Sequence, residues 1–162
     1  MRFFLKTATS MKNLSLPLLV LLLCTSCYSF HKVRSANYAF SDSISFTIDK
    51  VTESKSISGF GGAYNAKQGY EFILVTVTMQ NELDEEQDLN WTEFALLNPE
   101  TNQRLPLDWV LSTGAVVAFD REESHIGAGD KKKRKLVFTF PSDLKPKYLM
   151  VGQKVIEIPY MD

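Results

Sequence analysis

The chain has 162 residues, with 18 Lys and Arg against 19 Asp and Glu, a formal net charge of −1, and 44% hydrophobic residues. That balance excludes the strongly basic footprint of a nucleic-acid binder. Two cysteines and two histidines, His31 and His125, supply no zinc-ligand spacing.

Residues 1–26 read as an export signal. Lys12 and Asn13 precede an apolar run over residues 14–23, interrupted by Ser15 and Pro17. Its length of about ten residues suits a signal-peptide core, whereas a spanning helix needs roughly 20. Met11 opens a compact signal by itself and is a candidate for the true start. Thr25 and Ser26 lead to Cys27, and a small residue directly before a cysteine resembles the bacterial lipoprotein signal. The resemblance implies cleavage after Ser26, lipid on Cys27 and a membrane anchor. Cys24 competes as acceptor, but the bulky Leu23 precedes it. Maturation at Cys27 leaves 136 residues with no free thiol and no internal disulfide, so the domain must stand on its core. Loss of Arg2, Lys6 and Lys12 leaves 15 basic residues against 19 acidic, a net charge of −4, opposed in sign to the attraction of nucleic acid or an anionic membrane.

Residues 27–42 read as the lipidated cysteine and a polar, Ser-rich tether with a reach of roughly 20 Å. The domain then runs from 43 to 162. Ile44, Phe46 and Ile48 alternate with polar residues, which predicts a half-buried strand. Residues 54–68, rich in Ser and Gly, predict a loop with a short edge strand near 55–60. Residues 70–81, YEFILVTVTMQN, are the strongest strand in the chain. Ile73, Val75, Val77 and Met79 share one face. The other face starts with Phe72 and Leu74 and turns polar at Thr76, which predicts a central strand whose far end meets water. Residues 81–90 predict a solvated connection and 91–97 a strand. Residues 98–102 predict a turn, with 103–107 its hairpin partner. Residues 115–119 are a candidate strand in an irregular stretch, and 126–130 a second turn. Residues 134–140 predict a strand ended by Pro141, 142–146 a single helical turn, and 148–151 with 154–158 a closing hairpin. No amphipathic helix of useful length appears. Seven to nine short strands with regular turns predict an all-β fold, a single immunoglobulin-like antiparallel sandwich.

The succession GYEFILVTVTMQN, WTEFALLNPETNQRLPL and GAGDKKKRKLVFTFPSDLKPKYLMV resembles an immunoglobulin-like domain of unknown function found in bacterial lipoproteins. That family is similar in fold to secreted immunoglobulin-like antigens of mycobacteria. The resemblance implies the fold and says little about chemistry.

Lys131, Lys132, Lys133 and Arg134, continued by Lys135, are candidate contacts for an anionic lipid or glycan; as a plain basic run they also discourage edge pairing. Trp109, Tyr64, Phe60 and Phe119 are candidate aromatic contacts on loops, whereas Trp91 beside a Phe-x-Leu strand reads as core. Asp84, Glu85, Glu86 and Asp88, with Asp120, Glu122 and Glu123, could supply Ca²⁺ oxygens but lack the spacing of an ordered calcium loop. No serine near His125 sits in a nucleophile elbow, so no catalytic residue, cofactor or metal is expected. The reading is therefore a lipid-anchored, non-catalytic module for protein–protein interaction or a structural role in the cell envelope. Anionic lipid or glycan capture is the alternative, and divalent-metal binding a weaker one. The signal resembles lipoproteins of the Bacteroides group, in which surface export follows an acidic run after the cysteine. YSFHKVRS has none, which favours a periplasm-facing anchor in the cell or outer membrane.

Overall fold

The computed structural model describes residues 28–59, 62–113 and 118–161; the expected export signal, Cys24, Cys27, Phe60 and most of the strand expected at 115–119 lie outside them. In chain order the strands are β1 (Tyr28–His31), β2 (Asn37–Ala39), β3 (Ile44–Ser54), β4 (Ser56–Gly59) and β5 (Gly62–Asn65). Next come β6 (Tyr70–Asn81), β7 (Gln87–Asn90), β8 (Phe94–Leu97), β9 (Arg104–Pro106) and β10 (Trp109–Ser112). The series ends with β11 (Phe119–Asp120), β12 (Glu123–Ile126), β13 (Lys131–Pro141), β14 (Tyr148–Val151) and β15 (Lys154–Glu157). These fifteen segments among the described residues exceed the seven to nine expected. The excess comes from short hairpins and ribbons that weak local patterning hides.

A seven-stranded sheet runs β1-β3-β6-β13-β10-β11, with β2 beside β1 on the same edge of β3. Its spine is β6, paired antiparallel with β3 and with β13 along nearly its whole length. Facing it is a second layer, the four-stranded sheet β15-β14-β8-β9 together with the two-stranded ribbon β12–β7. Ile73, Val75, Val77 and Met79 are fully buried between the layers, beside Phe46, Ile48, Phe138 and Phe140 of the same sheet. Trp91, Phe94, Leu96, Leu149 and Ile126 close the core from the second layer, and Phe94 packs edge-on to Phe46 at 5.3 Å. The molecule is an all-β sandwich.

The other face of β6 explains itself. Phe72 and Leu74 are buried against Ile57 of β4, Leu111 and Val137, because the β4–β5 hairpin folds over that half of the sheet. Beyond Thr76 the hairpin no longer covers the sheet, and Thr78 and Gln80 are half-buried. A slip in register between Ile48 and Lys50 marks a β-bulge in β3. The extra residue, Asp49, bends out of the alternation, so Val51 regains the core face while Lys50 stands on the outer one.

Four expectations are corrected. Residues 28–41 are no tether: β1 and β2 pair with β3, and Val33 bridges Tyr160. The composition is polar because these are edge strands with one wet side. The connection at 81–90 holds β7, whose Leu89 is buried. Residues 91–93 form a 3-10 turn before β8, capped by Asn90, whose side chain accepts from the Thr92 N–H. Residues 142–146 make a turn closed by Leu144 N–H to Pro141 C=O, with no helix.

Buried Asn81 ties the end of β6 to the neighbouring turns. Its Nδ2 donates to the carbonyls of Glu85 at 2.7 Å and Gly127 at 2.9 Å, while its Oδ1 accepts from Leu83 N–H at 3.0 Å. A buried amide that makes all its hydrogen bonds is stabilising, and its loss strands several backbone groups.

Candidate recognition surfaces

The basic run does not form one patch. It opens β13, and strand alternation sends Lys131, Lys133 and Lys135 to the outer face while Lys132 and Arg134 turn toward the second layer. Arg134 Nε pairs with Asp120, and Lys132 Nζ donates to the His125 carbonyl. Burial, then the charge of Arg134, pushes the Lys132 ammonium down from its usual value. Lys132 braces the ribbon to the sheet, and Arg134 ties β13 to β11 within it. The basic turn expected as a single ligand site is in this respect corrected: Lys132 and Arg134 are committed elsewhere.

On the outer face, Lys133 Nζ lies 2.7 Å from Asp49 Oδ2, and the same carboxylate accepts from Thr78 at 2.8 Å and, through Oδ1, from Thr47 at 3.0 Å. Burial raises the Asp49 pKa, but the hydrogen bonds and charge of Lys133 outweigh it and leave the carboxyl below its ordinary value. Lys131 and Lys135 have no ion pair among the described residues. Lys50 stands in the same cross-strand row as Lys135, on either side of Thr76, with its ammonium 4.7 Å from the Phe30 ring centroid.

Aromatic rings gather at the Lys50 and Lys135 end of this face. Trp109 is half-buried and packs at 5.4 Å on Tyr64, at 5.6 Å on Phe72 and at 5.8 Å on Phe119; Tyr64 and Phe119 are 5.6 Å apart. Seven large apolar or aromatic side chains are exposed among the described residues, and Phe30, Tyr64, Tyr70 and Phe119 belong to this face or the hairpin over it. The sequence singled out Trp109, Tyr64, Phe119 and the lysines. It missed Phe30, read as tether, and Lys50, whose facing the bulge decides. Alternation on either side of Asp49 was the only available signal.

The second layer is different. A groove of about 910 Å³ runs along the ribbon, lined by Phe40, Asp88, Asn90, Glu93, Glu122, Glu123, Arg121 and His125, with Leu89 buried beneath. His125 Nδ1 is 2.6 Å from Asp88 Oδ1. The adjacent Ser124 is on the opposite strand face, where its Oγ accepts the Trp91 indole N–H at 3.0 Å, so it cannot meet the His125 ring. Nor do the acidic loops converge: among the described residues no three His, Cys, Asp or Glu are placed to hold a metal ion. His31, in β1, lies 2.9 Å from Glu53.

No helix among the described residues is long and apolar enough to cross a membrane. A search of curated proteins finds no match. Two crystal structures are similar. One is a conserved hypothetical protein from Bacillus anthracis, 15% identical, covering 81% of this chain and 96% of its own, with a TM-score of 0.59. The other is an uncharacterized β-sandwich protein from Clostridium difficile 630, 15% identical, covering 71% of this chain and 80% of its own, with a TM-score of 0.50. At that identity they speak for the fold alone. Residues 38–157 match the model of a domain of unknown function, and the chain belongs to that family, DUF4352.

Proposed function

We propose that this chain is a lipid-anchored, non-catalytic sandwich of immunoglobulin-like type that acts by docking in the bacterial cell envelope. One observation carries the reading: the two layers present chemically opposite outer surfaces. The large sheet shows exposed aromatic rings and lysines, and the ribbon of the second layer shows an acid-rimmed groove. Rings of Trp and Tyr are the material of binding surfaces, where they bury large area at low cost in side-chain freedom.

A partner protein is the first reading, met at the groove, whose acidic rim suits a basic partner surface and whose lining includes the half-buried ring of Phe40. Capture of an anionic lipid or glycan is the second, supported by Lys135, which shares a cross-strand row with Phe119 and stands two residues along β13 from the row of Trp109. A photo-crosslinking residue placed at Glu123 in the native host tests the first reading. A discrete protein adduct, reduced at high salt, is expected; no adduct at Glu123 together with one at Tyr64 would overturn the assignment of the groove. Alkyne-palmitate labelling that disappears in Cys27→Ala and survives in Cys24→Ala is expected for the anchor.

A further inference from the structure

We infer that the outer face of the seven-stranded sheet lies against the bilayer that holds the anchor, with the acidic ribbon directed away from it. The inference rests on the lipid-anchored reading and goes beyond it, because an anchor on a flexible tether would leave the domain free to tumble. There is no room for one here. Cys27 is followed at once by β1, whose first residue already pairs with Ser54. Consecutive Cα atoms are about 3.8 Å apart, so an acylated Cys27 puts the edge of this sheet at the membrane surface.

The chemistry of the face agrees with its position. Phe30, Tyr64, Tyr70 and Phe119 are exposed aromatics on one side of the molecule, where amphipathic rings suit the headgroup layer. Lys50 and Lys135 stand among them, and Lys133 and Lys131 continue the line beyond Lys135 along one strand at intervals of about 6.8 Å. Their alkyl stems can lie along apolar surface while the ammonium groups reach phosphates. Asp49 answers Lys133, and Glu82 lines the same shallow depression as Lys131, so Lys50 and Lys135 are left without a carboxylate partner among the described residues. The net charge of −4 is therefore no obstacle. The groove acids Asp88 and Glu123 belong to the opposite layer, and screening over roughly 8–10 Å separates them from a surface on the lysine side.

The test uses the full chain matured in its host and reconstituted into vesicles of phosphatidylcholine, alone or mixed with phosphatidylglycerol. Single thiols for a fluorophore are introduced by Phe119→Cys and Tyr64→Cys on the outer face, by Lys67→Cys at the hairpin base, and by Asp88→Cys on the ribbon. The exposed Lys67 and Asp88 positions keep the test readable if an aromatic variant fails to fold. In mixed vesicles, aqueous iodide is expected to quench the outer-face probes at least fivefold less than the Asp88 probe. Lys131→Glu with Lys135→Glu is expected to abolish that difference. Equal quenching at every position, with mass spectrometry showing acylated Cys27, would overturn the inference while leaving the anchor intact. An unacylated Cys27 would overturn the anchored reading itself. Shielding of the outer face in intact cells but not in vesicles would assign that face to a protein or a soluble glycan, and would also overturn it.

Discussion

The inner and outer faces of the seven-stranded sheet are built from the same three long strands, β3, β6 and β13, yet they meet different surroundings. Inward, every apolar position finds a partner in the second layer, and Val75, Val77, Leu136 and Phe138 are fully buried. Outward, the β4–β5 hairpin reaches only far enough to cover Phe72, Leu74 and Val137. Past Thr76 the same strands carry Lys133, Lys131, Thr78 and Gln80 into solvent. The face closed by a whole layer holds the fold, whereas the face closed by a hairpin is half structure and half available surface. Burial separates the two jobs because apolar area removed from water contributes roughly 25 cal/mol per Å², and only one face removes it completely.

Substitutions can break that comparison, and denaturant unfolding measures each. Phe138→Ala on the inner face opens a cavity among side chains that cannot collapse and is expected to cost about 4 kcal/mol. Asn81→Ala, at the rim, is expected to cost about 3 kcal/mol, because three carbonyls and one N–H lose a buried partner. Leu74→Ala, beneath the hairpin, is expected to cost about 2 kcal/mol, since β4 and β5 can settle inward to fill the space. An equal cost at Leu74 and Phe138 would show that the hairpin is as rigid a lid as the second layer.

Smaller effects sharpen the comparison on the open half. Asp49→Asn removes a charge from a wet pair and is expected to cost under about 1 kcal/mol at neutral pH. The sign of its pH dependence follows from the lowered carboxyl. A carboxyl depressed on folding stabilises at any pH above its unfolded value, near 3.8, and that contribution is lost as pH falls through the folded value. The wild-type chain should therefore lose stability more steeply below about pH 4 than Asp49→Asn. A wild-type acid limb no steeper than that of the variant would show that Thr78 and Lys133 do not hold the carboxylate in solution. Phe119→Ala, on the exposed ring, should change stability by less than about 0.5 kcal/mol. A large loss there would make the aromatic cluster a core element and remove it as a docking surface.

Local pattern carried far at β6. Its limits, its apolar face and the polar turn of its second face at Thr76 were all legible, because alternation over twelve residues reports directly which side each side chain takes. Trp91 as core was also within reach; Trp109, Tyr64 and Phe119 were expected on loops, whereas all three stand in short strands and pack together on the sheet face. Short elements were not. β1, β2, β7 and β12 are three or four residues long, with at most one or two buried side chains each, too few for a period to emerge. The split of the basic run was legible only in part: alternation predicts it once the strand is known to begin at Lys131 rather than Arg134.

By itself, then, the sequence determined that the chain folds as β-structure around one central strand, with an export signal expected before it. Stiff, branched side chains at every second position leave little else for residues 70–81 to do. Tertiary structure decided how the surfaces are divided. Which lysines stand together depends on pairing across three strands, on the bulge at Asp49 and on how far the β4–β5 hairpin reaches. None of these is encoded in the neighbours of any one residue. They follow from contacts more than twenty residues apart in the chain, such as Asp49 with Lys133 and Tyr64 with Trp109, which exist only once the sheet has closed.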